Sequence, residues 1–316
     1  MALALGGLHL QGHALAVLVL ALLSLAYGSM GARRLMELYE PDPSEQLTYH
    51  NGAVLGGDIP VYVLWYGRFT AAQKAIVSDF IASLAAAPGD YPAPSVPQWW
   101  SSIDRLYLSK AEAAGKKAAK KTQVILSGQV SDEGCSLGRS LTLSQLPALA
   151  AAAKPAKGGV ALVLTAQDVA VEGFCMSRCG MHGSDAKAGT AYVWAGNSAA
   201  QCPGQCAWPF QQEEPPVLPP NGDLGMDGLV INVASMLAGA VTDPFGDGFY
   251  QGEHEAPLEA ATACPGVYGN GAYPGNAGEL LVDKATGASY NANGAHGRRY
   301  LLPALYDPAS SECTLI

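Results

Sequence analysis

Apolar stretches alternate with amphipathic stretches along the chain from residue 58 onward. Residues 60–66 (PVYVLWY) are apolar, aromatic or β-branched without polar alternation, which is typical of a strand covered on both faces. Thr70 can then cap a helix in which Ile76 and Phe80 recur at helical spacing, and Pro88 ends it. This pattern predicts a buried strand followed by an amphipathic helix.

The alternation continues more loosely further along the chain. It predicts helices at 99–114 and 140–153 and strands at 123–130, 159–165 and 191–195. Strands that alternate with helices favour a layered α/β sheet. We therefore expect a single layered α/β domain in which helices flank a mostly buried mixed sheet.

The last third of the chain has a different character. Residues 202–221 are rich in Pro, Gln and Glu, which predicts a long ordered loop. Residues 227–241 (DGLVINVASMLAGAV) are apolar almost all round, so we expect this helix inside the core. Residues 242–316 are dense in Gly, Pro, Asn and Tyr, and only 280–283 and 300–307 are apolar enough for short elements. The pattern predicts a loop-rich, disulfide-bonded C-terminal part.

The N-terminus has the pattern of a secretory signal. Residues 14–26 form an apolar run that is shorter than the ~20 residues needed to cross a bilayer and resembles a signal-peptide core. Cleavage is expected after Gly28, although no Lys or Arg precedes the core; an N-terminal anchor or a buried helix is the alternative. We expect a signal peptide at 1–28, an extended arm at 29–57 and a domain at 58–316, with no membrane span in the mature chain.

Charge and cysteine content narrow the function classes. The net charge of −9 argues against nucleic acid and anionic membranes as partners. In an oxidising compartment the seven cysteines favour disulfides. The disulfide candidates are Cys175, Cys179, Cys202, Cys206, Cys264 and Cys313. Cys135 is the expected free thiol, and the pairing of the other six stays open.

Two CxxxC pairs raise the question of a metal site. Cys175 and Cys179, with Cys202 and Cys206, could bind zinc, but structural zinc sites usually use a closer spacing. Oxidation is favoured over metal binding in the secretory pathway. We expect neither a metal nor a cofactor.

Several long blocks of the sequence carry a resemblance to a known family. They include GFCMSRCGMHG at 173–183, VINVASMLAGAVTDPFGDGFYQG at 230–252 and LLVDKATGASYNANGAHGRRYLLPALYDP at 280–308. These blocks resemble the EXORDIUM (phosphate-induced protein) family of plants, and the likeness extends from Leu47 to the C-terminus. The resemblance implies an apoplastic or cell-wall location and a role in brassinosteroid-linked cell expansion and growth under limiting carbon, without an established reaction.

The apolar helix has a second, weaker likeness. Its TDP ending is similar to a bacterial zincin-like pattern, HELAEAVTDP, in which one helix carries the metal ligands and the general base. At the positions of His, Glu and a carboxylate ligand this chain has Ser235, Met236 and Gly239. The helix is either a core helix ended by Pro244 or part of a degenerate zincin-like scaffold. Both interpretations predict no zinc hydrolysis from it.

Other side chains offer weaker candidates for chemistry. A site for general acid and base work can be built from His182, Asp243, His254 and Glu259, although a histidine beside a glutamate often forms only a solvated ion pair. No GxSxG elbow is present. Whether the chain is an enzyme stays open, with a non-catalytic role favoured.

Tyrosines in the glycine-rich tail offer a different kind of site. Tyr268, Tyr273 and Tyr290 present flat faces that could stack on sugars, while ordinary packing is the alternative. The leading hypothesis is a secreted growth regulator that binds a cell-wall polymer or an extracellular protein. The alternative is an extracellular hydrolase of wall glycans or peptides whose active site is not located.

Overall fold

The computed structural model describes residues 46–113, 122–212, 214–254 and 256–316. The predicted signal peptide and the first part of the predicted arm lie outside the described residues. The described end of the arm lies against the rest of the chain, because Leu47 is buried and the backbone N–H of Leu55 donates to the carbonyl of Val241. Residues from Ser44 to Ile316 form one compact unit.

A five-stranded mixed sheet forms the centre of this unit. Its strands are β2 (Asp58–Tyr66), β3 (Gln123–Asp132), β5 (Val160–Thr165), β7 (Gly180–Asp185) and β8 (Thr190–Gly196). Their order is β3-β2-β5-β8-β7; the first four are parallel and β7 runs antiparallel to β8. Every residue of β5 and β8 is buried, as expected for strands covered on both faces. The predicted α/β class with a mixed sheet is confirmed.

Helices connect and cover the strands. They are α1 (Ala71–Ala85), α2 (Val96–Ile103), α3 (Ser109–Ala113), α4 (Leu146–Ala152), α5 (Pro203–Cys206) and α6 (Leu224–Thr242). Helix α1 begins with a capping box between Thr70 and Gln73. The helix predicted at 140–153 is shorter than expected, because Ser140–Leu141 forms strand β4 and Leu143–Gln145 forms a 3₁₀ turn.

Helix α6 is the central helix of the fold. Asp223 caps it by accepting a hydrogen bond from the backbone N–H of Met226, and its residues pack against β7 and β8. It starts three residues before the predicted Asp227. Among the described residues, only α6 is long and apolar enough to cross a membrane, and 78% of its most apolar window is buried inside the fold. It is therefore the core helix that the sequence pattern predicts.

Short antiparallel pairs organise the arm and the C-terminal part. They are β1 (Thr48–Tyr49) with β9 (Phe249–Tyr250), β10 (Leu281–Val282) with β11 (Ser289–Tyr290), β12 (Ala292–Asn293) with β13 (Arg299–Tyr300), and β14 (Leu305–Asp307) with β15 (Glu312–Thr314). Strand β4 pairs in parallel with β6 (Ala170–Val171). The tail is loop-rich, as predicted.

Three disulfides join six of the seven cysteines. Cys175 pairs with Cys202, Cys179 with Cys206, and Cys264 with Cys313. The remaining cysteine, Cys135, is a buried thiol. The first two disulfides tie the segment before β7 to the region of α5, and the third joins the C-terminal strand β15 to the preceding loops.

Candidate functional site: a histidine–glutamate cleft beside helix α6

A buried histidine–glutamate pair lies between strand β7 and helix α6. The Nε2 atom of His182 lies 2.7 and 2.8 Å from the two carboxylate oxygens of Glu259. Only 14% of the His182 side chain and 5% of the Glu259 side chain are exposed. The backbone N–H of Glu259 donates to the hydroxyl of Thr262, which holds the turn that carries the carboxylate. The two side chains therefore form a tight pair largely shielded from solvent.

The missing side chain at Gly239 makes room for this pair. A Cβ atom at Gly239 would lie 2.1 Å from Oε2 of Glu259 and 2.9 Å from Nε2 of His182. Gly239 stands where the zincin-like pattern has a carboxylate ligand, so the carboxylate of Glu259, from another part of the chain, fills this space. Met236, one turn earlier on α6, lines the same cleft.

Ser235 uses its hydroxyl within the helix. Its hydroxyl donates a hydrogen bond back to the carbonyl of Ile231 within the helix. In the part of the chain that the structure describes, no three His, Cys, Asp or Glu side chains are close enough to hold a metal ion. The face of α6 that would carry a zincin's metal thus carries a methionine and a glycine.

Asp243 completes a charged group at the end of α6. Its Oδ1 accepts a hydrogen bond of 2.7 Å from the backbone N–H of Gly248. Burial is the largest influence on His182 and by itself lowers the pKa, but the hydrogen bond to Glu259 and the negative charges of Glu259 and Asp243 raise the pKa overall. Burial raises the pKa of Asp243, and the nearby Glu259 charge adds to this effect. The arrangement stabilises a proton on His182.

The pair forms one wall of an open cleft of about 430 Å³. Other lining residues are Arg178, Ser184, Asp243, Phe245 and Pro257. The structure thus brings His182, Asp243 and Glu259 together. It leaves His254 outside the pair: this residue is exposed and lies at the cleft rim, where its Nε2 would be 3.0 Å from a Cβ atom at Gly246.

The chemistry open to the cleft follows from the partners of the imidazole. Nε2 of His182 is engaged by Glu259, and Nδ1 is buried without a hydrogen-bond partner among the described residues. Ser184 lies in the same cleft, but no hydrogen bond joins its hydroxyl to the imidazole. A nucleophile–base pair needs such a bond. The cleft can hold a proton and a polar ligand, but it lacks an assembled serine nucleophile.

The three tyrosines considered for sugar stacking differ in accessibility. Tyr268 is buried beside Trp208, with ring centroids 5.8 Å apart, so its faces are not available to a ligand. Tyr273 is 64% exposed. The guanidinium of Arg299 lies 4.7 Å from the ring centroid of Tyr290 and covers one of its faces. Tyr273 is therefore the most exposed ring of the three.

A second and larger cleft lies outside the residues that sequence reasoning singled out. Its volume is about 730 Å³, and we call it the arginine cleft. Its walls include Pro219, Pro220, Asn221, Asp283, Arg298 and Arg299. The adjacent arginines were visible in the sequence, but their partners Asp79 and Asn221 are 219 and 77 residues away from Arg298 along the chain. No local pattern links residues so far apart.

Comparison with known proteins decides the family. The family model described as "Phosphate-induced protein 1 conserved region" matches residues 47–316. The chain belongs to this family. The resemblance to EXORDIUM proteins is thereby confirmed, and the matched region includes every residue of both clefts.

Relatives in this EXORDIUM family match almost the whole chain. Protein PHOSPHATE-INDUCED 1 of Nicotiana tabacum is 51% identical over 297 residues, which covers 90% of this chain and 93% of the relative. Protein EXORDIUM of Arabidopsis thaliana is 50% identical over 305 residues, covering 92% and 96%. Protein EXORDIUM-like 1 of Arabidopsis thaliana is 49% identical over 284 residues, covering 85% and 89%. No solved structure matches the chain.

Proposed function

We propose that this chain is a secreted protein of the apoplast and cell wall that regulates cell expansion and growth by binding a wall polymer or an extracellular protein. The names of its relatives, PHOSPHATE-INDUCED 1 and EXORDIUM, support a role in growth-related or phosphate-induced responses. The link to brassinosteroid and to carbon supply is part of the proposal and follows from the family resemblance.

The disulfides and the N-terminal segment support an extracellular location. Disulfides form and persist in oxidising compartments and are rare in the cytosol, and this chain has three. The apolar run at 14–26 has the length of a signal-peptide core. These are independent supports, because one lies in the sequence of the N-terminus and the other in the geometry of the folded unit.

One observation favours binding over catalysis. Both carboxylate oxygens of Glu259 engage Nε2 of His182, and the pair fills the space that a side chain on Gly239 would need. A general base must reach the proton that it removes from a substrate. An imidazole whose Nε2 is taken by a carboxylate, and whose Nδ1 is buried, does not present a free base to the cleft. The site is therefore better suited to holding a ligand than to activating a nucleophile.

The location is tested by expressing the full chain with a C-terminal tag in plant cells. We expect the tag in the extracellular fluid and the wall fraction. The matched control is a chain that begins with Met followed by residue 29, which we expect to stay inside the cell. Retention of the full chain inside the cell would contradict the proposal.

Binding is tested with the purified chain from residue 29 to residue 316. We expect isolated, protein-depleted wall material to retain it, while an unrelated secreted protein of similar net charge passes through. A chain that shows no retention on wall material and captures no extracellular protein would contradict the binding role.

A hydrolase is the second candidate, because His182, Glu259 and Asp243 converge in one cleft. Its test is release of sugars or peptides from wall material by the purified chain. The variants His182→Gln and Glu259→Gln should abolish such release, while His254→Gln, a change at the exposed rim, should preserve it. That combined result would replace the non-catalytic proposal, and absence of release from the wild-type chain would exclude the hydrolase.

A further inference from the structure

The arginine cleft lies between the Pro219–Pro220 segment, the turn after Asp283 and the turn that carries Arg298. One carboxylate, that of Asp283, lines the cleft, and a second, that of Asp79, contacts two of the lining residues; both have partners. The oxygens of Asp79, behind the cleft, lie 2.9 Å from Nδ1 of His296 and 2.5 Å from Nε of Arg298. Asp283 pairs with Arg299 and also accepts a hydrogen bond of 2.8 Å from the backbone N–H of Ala285. Every oxygen of these two carboxylates therefore already has a partner within the protein.

The amide of Asn221 is also fully engaged. Its NH₂ group donates to Asp227 and to the carbonyl of Arg299, and its oxygen accepts from Nη1 of Arg298. Asn221 therefore acts as a support that orients Arg298. It does not offer a free acceptor to a ligand.

Unused hydrogen-bond donors remain on the two arginines, beside the hydroxyl of Thr286 and the exposed ring of His296. A guanidinium has five N–H donors, and Arg298 uses Nε and Nη1 while Arg299 uses Nη1. Their side chains are 25% and 31% exposed, so both reach solvent while being held in place. Stacking on Tyr290 further fixes the plane of Arg299. The cleft thus presents rigid cationic donors and no spare acceptor carboxylate.

We propose that the arginine cleft binds the carboxylate of a uronic acid unit in an acidic wall polysaccharide. This inference rests on the proposed function, because it specifies which wall polymer the chain recognises. Guanidinium groups bind carboxylates through short, charge-assisted and often bidentate hydrogen bonds. The walls of Pro219, Pro220 and Ala288 give the rest of a sugar ring a firm, uncharged surface.

Charge and size limit how much of the polymer is recognised. Arg298 and Arg299 are balanced locally by Asp79 and Asp283, and the whole chain has a net charge of −9. The negative net charge disfavours long-range attraction of a polyanion, so recognition depends on short contacts within the cleft. A volume of about 730 Å³ lies within the usual range for small-ligand sites. The cleft fits a short segment of one or two sugars.

The first test measures binding of a trimer of galacturonic acid to the chain from residue 29 to residue 316 by calorimetry. A trimer of galactose is the neutral control and should bind at least tenfold more weakly. The variant Arg299→Gln removes charge-assisted donors and should weaken binding of the acidic trimer by about tenfold or more. The neutral trimer should show no comparable change.

A second variant tests the same cleft in case Arg299→Gln does not fold. Thr286 is exposed at the cleft, and Thr286→Glu adds a negative charge without removing an ion pair. It should weaken binding of the acidic trimer, whereas Ser127→Glu, the same charge added on the exposed strand β3, should not. Equal binding by wild type, Arg299→Gln and Thr286→Glu would overturn the proposal.

A third measurement tests whether the cleft recognises the sugar ring as well as the carboxylate. A pentapeptide of glutamate offers the same charged group without a sugar ring, and it should bind weakly. Equal affinity for this peptide would overturn the assignment to a uronic acid. If wild type is retained on wall material but acidic trimers neither bind nor compete, this inference fails while the proposed function stands. If wall retention itself is absent, the proposed function fails.

Discussion

The carboxylate of Glu259 occupies the space that a side chain on Gly239 would need. The two residues are far apart in the sequence, yet a Cβ atom on the helix would lie 2.1 Å from Oε2. The glycine on α6 and the glutamate after it therefore form one unit with His182. The properties of this unit can be tested without knowledge of any ligand.

The first prediction concerns Gly239→Ala. Alanine normally stabilises a helix interior by about 0.5–1 kcal/mol relative to glycine. Here the added methyl group overlaps Glu259, so we expect a loss of about 1–3 kcal/mol in the free energy of unfolding, measured by urea denaturation. Gly204→Ala is the matched control, since a Cβ atom there meets nothing within 4 Å. Stability of Gly239→Ala at or above that of wild type would refute the packing argument.

The second prediction concerns the pH dependence that His182 confers. Its pKa is raised in the folded state, so the folded chain binds the proton more tightly than the unfolded chain. The stabilisation is fully present below the unfolded pKa of about 6.5 and is lost as the pH rises through the folded pKa. Melting temperatures of wild type should therefore fall on this alkaline side, and those of His182→Gln should fall less. Parallel curves for the two proteins would contradict the prediction.

The third prediction concerns Asp227, in the first turn of α6. Burial raises the pKa of its carboxyl group to about 7, against the opposing effect of hydrogen bonds from Asn221. The raised value means that stability is greatest below the unfolded pKa of 3.8 and falls as the pH rises from there to about 7.

The slope for one such group reaches at most about 1.4 kcal/mol per pH unit. The variant Asp227→Asn should lose this component, and denaturant titrations between pH 4 and pH 8 measure it. His182 acts in a more alkaline window, so the two contributions can be separated. An unchanged slope in Asp227→Asn would show that this carboxyl group titrates normally.

The fourth prediction concerns the thiols. The folded chain from residue 29 to residue 316 should show no rapidly reactive thiol, because Cys135 is buried. Denaturation without reductant should expose one thiol per chain, and Cys135→Ala should expose none. Two or more thiols in the wild-type protein would contradict the disulfide pattern.

The fifth prediction compares cysteine variants in stability. Replacing both Cys264 and Cys313 by serine removes one disulfide and should cost about 2–5 kcal/mol. Cys135→Ala removes no crosslink and should cost less, as measured by denaturant unfolding. A larger loss from Cys135→Ala would indicate that this buried thiol has a structural role beyond packing.

The sequence predicts the central strands well because their signal is local. Strands β2, β5 and β8 are continuous apolar runs, and both faces of each are covered. Strand β7 was not predicted, because its residues GMHGSD include two glycines and three polar side chains. Its extended form comes from antiparallel pairing with β8, which is a tertiary effect.

The candidate site was only partly predictable for the same reason. The position of His182 close to a cysteine cluster marks it as a candidate in the sequence, but its partner Glu259 is 77 residues away. The role of Gly239 depends on how closely another segment approaches α6, and nothing in the local sequence reports that distance. His254, predicted in the same site, lies at the rim because its loop places it beside Gly246.

Strand β7 is an edge strand, so hydrogen bonds within the central sheet hold it on one side only. Cys179 directly precedes it and is bonded to Cys206, which anchors the start of the strand. Side chains two residues apart share a face, so a slip of two residues would bring Gly180 or Ser184 opposite Glu259 in place of His182. A buried carboxylate would then lack its cation. The disulfide between Cys179 and Cys206 therefore fixes the register of β7, and so determines which of its residues lies opposite Glu259.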